Sequence, residues 1–263
     1  MAPEPGQAPS RRVTARGEKT FTWRFLAALV IPWLYAVGRY RFQHLDRIPA
    51  TGAFVLTANH YSNFDPLITA LAVWKAGRVP RFFAKESLFR IPVVGAALRA
   101  TGQIPVARAG AARTASSPTS ASSISAAERL TAEGLAVVVY PEGTLTREPD
   151  LWPMRGKTGA VRIALEQDVP IIPAATWGVQ RILPRYGRFS LFPRKDVDII
   201  VGEPVDLSAW RGVPITPAVL DEATEAVMTA VTGLVAGRRG ETPPPGRWDP
   251  TEHGQTEVGR LEP

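Results

Sequence analysis

Short apolar runs alternate with longer segments of helical periodicity along most of this chain. The runs that predict strands lie at 53–58, 81–84, 103–107, 135–140, 171–177 and 196–201. The segments that predict helices lie at 66–76, 87–100, 122–133, 156–167 and 216–236. Strands that alternate with helices indicate a mostly parallel sheet flanked by helices. We therefore predict one α/β domain, with functional groups at the carboxyl ends of its strands.

A separate apolar run, residues 25–38, has arginines on both sides and Pro32 inside it. It is too short to cross a bilayer, which takes about 20 residues. Trp23, Trp33 and the basic flanks are typical of an interfacial anchor, and a buried N-terminal helix is the alternative. The predicted regions are a disordered basic tail (1–19), a membrane-interfacial helical segment (20–40), the α/β domain (41–236) and a disordered C-terminal tail (237–263).

The composition narrows the classes of function. The 263 residues include 31 Lys and Arg against 24 Asp and Glu, a net charge of +7, and no cysteine. The basic balance favours an anionic partner, such as a phosphorylated small molecule or an anionic membrane surface. The lack of cysteine excludes disulfides, thiolate metal ligands and a cysteine nucleophile. No nucleic-acid-binding module is recognisable, so we expect no nucleic-acid partner.

His60 follows the predicted strand 53–58 and precedes Asp65 by five positions. An imidazole can accept a hydroxyl proton near neutral pH, and a carboxylate can orient the ring and stabilise the imidazolium. Asp65 followed by Pro66 also fits an ordinary helix start, and a histidine at a strand end can equally be a surface residue. Taken alone, the pair is weak evidence for catalysis.

Three further motifs accompany predicted strands. The segment 102–108 is a short strand that ends in Arg108, and a guanidinium binds phosphate through paired donors. The turn 141–144, Pro-Glu-Gly-Thr, leaves the most hydrophobic run of the chain and exposes backbone N–H groups. The apolar segment 169–173 suits a structural wall beside an apolar chain. Taken singly, each motif also fits a purely structural role: Arg108 as a solvated arginine, 141–144 as a turn and 169–173 as a buried strand.

Together, and in this order, H-x4-D, G-x-I-x-x-x-R, P-E-G-T and V-P-I-I-P resemble the motifs of the glycerophospholipid acyltransferases, whose best-known members are the 1-acyl-glycerol-3-phosphate acyltransferases. The resemblance covers about residues 40–205. It implies that His60 and Asp65 are catalytic and that Arg108 binds the glycerol phosphate. It further implies an acceptor site shaped by Glu142, Gly143 and Thr144.

The chain departs from the family pattern at two positions. Leu145 directly follows P-E-G-T, where the family usually has arginine, and Arg147 comes two residues later. Ala107 precedes Arg108, where an aspartate is common. Phosphate binding then falls to Arg108, Arg147 or Lys157, and the identity of the acceptor headgroup stays open.

The resemblance implies transfer of a fatty acyl group from acyl-CoA or acyl-carrier protein to a lysophospholipid, foremost 1-acyl-glycerol-3-phosphate, which yields phosphatidic acid. Because the chain has no cysteine and no G-x-S-x-G sequence, we expect the acceptor hydroxyl to attack the thioester directly. No cofactor beyond the acyl thioester co-substrate and no metal is implied. The expected location is the cytoplasmic face of the cell membrane, with the enzyme peripheral or monotopic.

The alternatives are another lyso- or glycolipid acceptor and a non-catalytic peripheral lipid-binding protein of the same fold. A nucleotide hydrolase fits poorly. The segment 156–158, Gly-Lys-Thr, matches the end of a P-loop, but the first glycine of that motif would fall on Leu151.

Overall fold

A sheet of seven strands forms the centre of the part of the protein that the computed structural model describes, residues 18–106 and 120–255. The strands are β1 (Gly38–Gln43), β2 (Phe54–Ala58), β3 (Pro80–Lys85), β4 (Ile104–Val106), β5 (Ala136–Val139), β6 (Ile171–Trp177) and β7 (Lys195–Val201). The α-helices are α1 (Phe21–Val37), α2 (Asp65–Lys75), α3 (Glu86–Phe89), α4 (Pro92–Ala100), α5 (Ser120–Ala132), α6 (Gly159–Glu166) and α7 (Pro217–Arg239). Short 3₁₀ turns lie at Leu45–Arg47, Val179–Arg181 and Ser208–Trp210.

The sheet is mostly parallel, in the order β1-β7-β6-β2-β5-β3-β4. Strands β2 to β6 all run in one direction, while β7 is antiparallel to β6 and β1 is parallel to β7. The five parallel strands therefore end at one edge of the sheet, called here the carboxyl edge, where β1 and β7 begin. This arrangement confirms the predicted α/β class.

Alternating side chains of the central strands face two layers of helices. Val55, Val137 and Ile171 pack with apolar residues of α5, α6 and α7 on one face. Phe54 and Leu56, together with Val138 and Ile172, pack with Val73 of α2 on the other. Because both faces are covered, these strands are almost wholly apolar, as expected for buried parallel strands.

Two elements differ from the sequence expectation. The strand β1 was not expected, because its Arg-Tyr-Arg-Phe alternation suits an edge strand in which every second residue is exposed. The helix expected over 87–100 is divided into α3 and α4, because Ile91 is extended before Pro92 and the second helix begins at that proline.

The helix α1 covers α2 and runs antiparallel to it. Trp23 stacks on Trp74 near the end of α2, and Trp33 contacts Phe64 just before its start. Leu34 and Val37 are buried against α2. An exposed apolar stripe at four-residue spacing also runs along α1, formed by Phe21, Phe25, Leu29 and the partly exposed Trp33. Among the described helices, none combines the length and the apolar character that a membrane span requires.

The residue just before this helix segment anchors it to the domain. Glu18 is buried, and its Oε1 lies 2.8 Å from Nη2 of Arg78, in a pair whose side chains are both fully buried. Arg78 also donates to the carbonyl oxygens of Pro49 and Gly134. Arg81 lies 3.4 Å from the other carboxylate oxygen of Glu18. The beginning of the described chain is thus tied to the amino ends of the central strands.

The C-terminal segment differs from the disorder that the sequence predicts from residue 237 onward. The helix α7 continues through Arg239, whose guanidinium lies over the Trp152 ring at 4.1 Å. Residues 240–255 then fold back, and Arg247 donates to Glu225 and Thr232 of α7. These long-range polar contacts are invisible in a proline-rich composition. Residues 1–17 and 256–263, which complete the two predicted tails, lie outside the described residues.

Candidate active site

The loops that leave β2, β5 and β6 meet at the carboxyl edge of the sheet. β2 lies between β5 and β6, with Thr57 opposite both Val139 and Pro173. His60 therefore emerges beside the turn that begins at Pro141. These two residues are 81 positions apart in the sequence but adjacent in space, as expected for neighbouring parallel strands.

The side chains of His60 and Asp65 are in direct contact. Nδ1 of His60 lies 3.0 Å from Oδ2 of Asp65, which also accepts the backbone N–H groups of Tyr61 and Ser62 at 2.6 and 2.7 Å. Asp65 is fully buried. A carboxylate only accepts, so Nδ1 carries the proton and Nε2 keeps a free lone pair. The imidazole is thus held in the tautomer that a general base requires.

Asp65 is not the cap of its helix. The residue at the N-cap position is Phe64, and no side chain caps the helix there. The carboxylate of Asp65 bonds to groups that precede α2, within the loop that carries His60. Asp65 therefore stabilises the loop that carries His60, and does not serve as an ordinary helix cap.

A tyrosine that the sequence did not single out lies against the imidazole. The rings of Tyr140 and His60 are stacked, with centroids 4.2 Å apart and planes 18° apart. The hydroxyl of Tyr140 is 2.9 Å from Oγ1 of Thr69 in α2. Burial raises the pKa of Tyr140 well above its usual value, so the phenol stays neutral. The stack covers one face of the imidazole and restricts rotation of its ring.

A buried amide joins the ends of β2 and β6. Nδ2 of Asn59 donates to the carbonyl oxygen of Thr176 at 3.0 Å, and the N–H of Thr176 donates to Oδ1 of Asn59 at 2.8 Å. Oγ1 of Thr176 lies 3.5 Å from Oδ1 of Asp65. This contact leaves no signal in the sequence, because the two residues are 117 positions apart.

Glu142 of the P-E-G-T turn supports the backbone of the histidine. Its Oε1 accepts the N–H of His60 at 2.8 Å, and its Oε2 accepts the N–H of Met154 at 3.2 Å. The carboxyl group is buried, and burial raises its pKa to about 8. The N–H of Thr146 donates to the carbonyl oxygen of His60 at 2.8 Å. Glu142 therefore joins two loops, and its oxygens point at backbone groups.

The remaining predicted residues of this turn divide into exposed and buried groups. Gly143 is exposed and has φ of +70°, and a Cβ added there would lie 3.1 Å from Cε of Lys157. Lys157 is exposed as well, so these two residues form one accessible surface. Thr144 and Arg147 are buried. Arg108 lies outside the described residues.

Two further basic residues at this edge were not predicted. Arg185 donates from Nη1 to the carbonyl oxygens of Thr146 and Glu148, so it fixes the loop after P-E-G-T from the side of β6. Lys85, the exposed last residue of β3, pairs in register with Val106. β3 is two strand spacings, roughly 10 Å, from β2. Lys85 could have been found from the sequence, because it directly follows the predicted strand 81–84.

A mostly parallel α/β sheet that presents a histidine oriented by a buried aspartate at its carboxyl edge has the groups needed for general acid–base chemistry. The family model described as Acyltransferase matches residues 39–177, which is more than half of the chain, and the protein belongs to this family. The match includes both His60 and Glu142, and it confirms the resemblance drawn from the motifs.

Several known proteins are similar to this chain. A chloroplastic 1-acyl-sn-glycerol-3-phosphate acyltransferase of Brassica napus is 27% identical over 173 residues, 65% of this chain and 46% of that protein. The 1-acyl-sn-glycerol-3-phosphate acyltransferase of Bacillus subtilis is 29% identical over 192 residues, 73% and 86% of the two chains. The crystal structure of the 1-acyl-sn-glycerophosphate (LPA) acyltransferase PlsC from Thermotoga maritima matches with a TM-score of 0.56 and 27% identity, over 84% of this chain and 80% of that one. This chain thus spans less than half of the Brassica relative.

Proposed function

We propose that this protein is a 1-acylglycerol-3-phosphate O-acyltransferase, which moves a fatty acyl group from a thioester to the free hydroxyl of a lysophospholipid. The observation that carries the proposal is the contact of the buried Asp65 carboxylate with Nδ1 of His60, which leaves Nε2 as a proton acceptor. Membership of the Acyltransferase family and the names of the similar proteins support the same class of reaction.

The reaction needs one proton acceptor and no covalent intermediate. Nε2 of His60 takes the proton of the acceptor hydroxyl while its oxygen attacks the thioester carbonyl carbon. The tetrahedral adduct then collapses, the carbon–sulfur bond breaks, and the imidazolium returns the proton to the thiolate. Asp65 stabilises the imidazolium between these steps. The products are the ester and the free thiol, so His60 ends each cycle in its starting state.

The acceptor phosphate would bind to cations at the carboxyl edge of the sheet. Lys157, exposed beside Gly143, supports this role. The family resemblance assigns phosphate binding to Arg108. Arg147 is a candidate because Leu145 stands where the family usually has arginine, and Lys85 adds a positive charge at the end of β3. Gly143 and Thr144 would shape the glycerol site, with Glu142 fixing their turn against His60. The preferred acceptor in this proposal is 1-acyl-glycerol-3-phosphate, and the donor is acyl-CoA or acyl-carrier protein.

The lipid acceptor requires contact with a bilayer. The exposed stripe of α1, formed by Phe21, Phe25, Leu29 and Trp33, supports a peripheral, monotopic attachment. Arg24 in the first turn of α1 and Arg39 just after its end suit the anionic cytoplasmic face of the cell membrane.

The direct test is an acyl-transfer assay with the full chain. Labelled acyl-CoA and acyl-carrier protein are each offered with a panel of lysophospholipids, monoacylglycerol and glycolipid acceptors. His60→Ala should abolish transfer, and His44→Asn is the matched control, because His44 is exposed and has a left-handed φ of 59° that asparagine tolerates. Wild-type protein that binds lysolipid vesicles but transfers no acyl group to any acceptor would identify a lipid-binding protein instead.

A further inference from the structure

The segment from Arg181 to Lys195, called here the basic aromatic loop, connects the end of β6 to the start of β7. It contains five Lys and Arg residues and no Asp or Glu. Its charge is therefore of one sign, whereas the chain as a whole has 31 Lys and Arg residues against 24 Asp and Glu residues. The loop lies at the carboxyl edge of the sheet, on the side of β6 that faces away from β5.

The loop has an inner and an outer side. Ile182 is buried, and Leu183 and Leu191 pack against the same cluster as Leu34 of α1. The rings on the outer side are large and exposed: Phe192 is 75% exposed and Phe189 is 53% exposed. An inner apolar anchor thus holds two aromatic rings out of the domain.

The outer side continues the exposed surface of α1. Phe189 and Trp33 both contact the ring of Phe64, at centroid distances of 5.9 and 5.6 Å. Nη2 of Arg194 donates to the carbonyl oxygen of Gly38, directly after α1. Phe189 and Trp33, the last exposed ring of the α1 stripe, therefore belong to one continuous surface, and Phe192 follows Phe189 by three positions.

The charges around the two rings indicate what covers them. Arg181, Arg188 and Arg194 are exposed, and the nearest carboxylate that follows in sequence belongs to Asp196. Exposed aromatic rings bordered by arginines match the interface of a bilayer, where rings enter the headgroup region and cations meet lipid phosphates. A second copy of the chain would bring like charges together.

We propose that the basic aromatic loop is a second membrane-binding element, which inserts Phe189 and Phe192 into an anionic bilayer beside α1. Contact at two elements fixes the orientation of the domain, which one helix alone leaves free to rotate about its axis. The loop also carries Arg185, which holds the backbone of Thr146 and Glu148 near the candidate site. The membrane therefore lies at the carboxyl edge that carries His60. This inference rests on the proposed function in one respect, that α1 is the first membrane-binding element.

Because the chain has no cysteine, a single introduced cysteine can carry an environment-sensitive fluorophore at one chosen position. The test uses the full chain with Phe192→Cys, Phe25→Cys or Val213→Cys, each labelled with a nitrobenzoxadiazole group. Val213 is the matched control, because it is 40% exposed and follows β7 at the opposite edge of the sheet. The vesicles are phosphatidylcholine with or without phosphatidylglycerol.

Labels at positions 192 and 25 should shift to shorter wavelength on anionic vesicles and be quenched by spin-labelled lipid, whereas the label at 213 should not change. Arg188→Gln should weaken vesicle binding about fivefold, the effect of one cation near an anionic surface. A response at 25 without one at 192 would overturn the second element and leave α1 as the anchor. A change at 192 that depends on protein concentration and not on vesicles would identify a second copy. Acyl transfer on detergent-dispersed substrate, measured in parallel, reports separately on the proposed function.

Discussion

The imidazole of His60 lies face to face with the phenol ring of Tyr140, with 4.2 Å between the ring centroids. A stacked aromatic ring restricts rotation of the imidazole and is attracted to the imidazolium that forms when it takes a proton. The hydroxyl of Tyr140 lies 2.9 Å from Oγ1 of Thr69. The expected role of Tyr140 is to position His60.

Tyr140→Leu should lower kcat by up to about tenfold, the size of an aromatic pair contribution, with KM little changed. Tyr140→Phe keeps the stack and loses only the hydroxyl contact with Thr69, so its kcat should stay close to wild type. Steady-state kinetics with the three proteins measures the difference. Equal losses in both variants would show that the hydroxyl, and not the stack, matters.

Asp65→Asn should lower kcat on the order of a thousandfold or more, because the amide can no longer fix the tautomer of His60 or stabilise its charge. His60→Ala should abolish transfer, and the double variant should be little worse than either single one, since the two residues act as a unit. Single-turnover rates and thermal unfolding are measured together. A variant of Asp65 with near-wild-type kcat and only reduced thermal stability would assign Asp65 a purely structural role.

Glu142→Gln should destabilise the fold by about 1–3 kcal/mol. The side-chain nitrogen of glutamine only donates, so it leaves without an acceptor one of the two backbone N–H groups that the oxygens of Glu142 accept. The pKa of Glu142 is raised to about 8, so the folded state holds this proton more tightly than the unfolded chain does. The stability contributed by the proton is full below about pH 4.5 and is lost as the pH rises through 8. The difference in unfolding free energy between wild type and variant should therefore shrink from pH 5 to pH 8.5. Urea denaturation at four pH values measures it, and a constant difference would contradict the raised pKa.

Lys157→Met should raise KM for 1-acyl-glycerol-3-phosphate about tenfold, the effect of one lost charged contact, with little change for the acyl donor or for monoacylglycerol. The control is Arg155→Met, an exposed cation two residues earlier that pairs with Asp249. Arg108→Ala measured in the same way tests the residue that the family resemblance selects. A similar rise of KM for phosphorylated and unphosphorylated acceptors would remove Lys157 from phosphate binding.

Glu18→Gln should destabilise the protein by about 3–5 kcal/mol, because it leaves Arg78 charged, buried and without its carboxylate. The matched control is Glu203→Gln. Glu203 pairs with Arg47 through an exposed carboxylate, so the loss of this ion pair should have little effect on stability. Urea denaturation compares the two variants.

The ion pair of Glu18 with Arg78 also affects how α1 can be studied. Deletion of residues 1–38 removes Glu18 along with the helix and so destabilises the domain. Substitutions in the exposed stripe of α1 therefore test membrane binding more cleanly.

The sequence predicted the interior of this fold well because β2, β5 and β6 are buried apolar runs whose signal is local. It also located His60, Asp65 and the P-E-G-T turn, whose spacing is short. It did not show β1, because an edge strand with alternating arginines has no apolar run. Nor did it show the contacts of Asn59 with Thr176, since partners on different strands leave no trace in one sequence.

The tail is a further instance of the same limit. Composition alone made residues 237–255 appear unstructured, but Arg239 lies over Trp152 and Arg247 reaches α7. Glu142 was expected at the acceptor, and its orientation towards two backbone N–H groups depends on how Met154 returns beside His60. Such orientations follow from the folded loops and not from motif spacing.

The pairing of β1 with β7 has a consequence for the order of events on the ribosome. Arg41 meets Asp198, which is synthesised 157 positions later. At about 5–20 residues per second, roughly 8–30 s separate the two. Throughout that interval β1 has no partner strand. The apolar residues of α1, which directly precedes β1, then have only α2 or a nearby bilayer to contact. The membrane contact proposed for α1 can thus form before translation completes the sheet that supports His60.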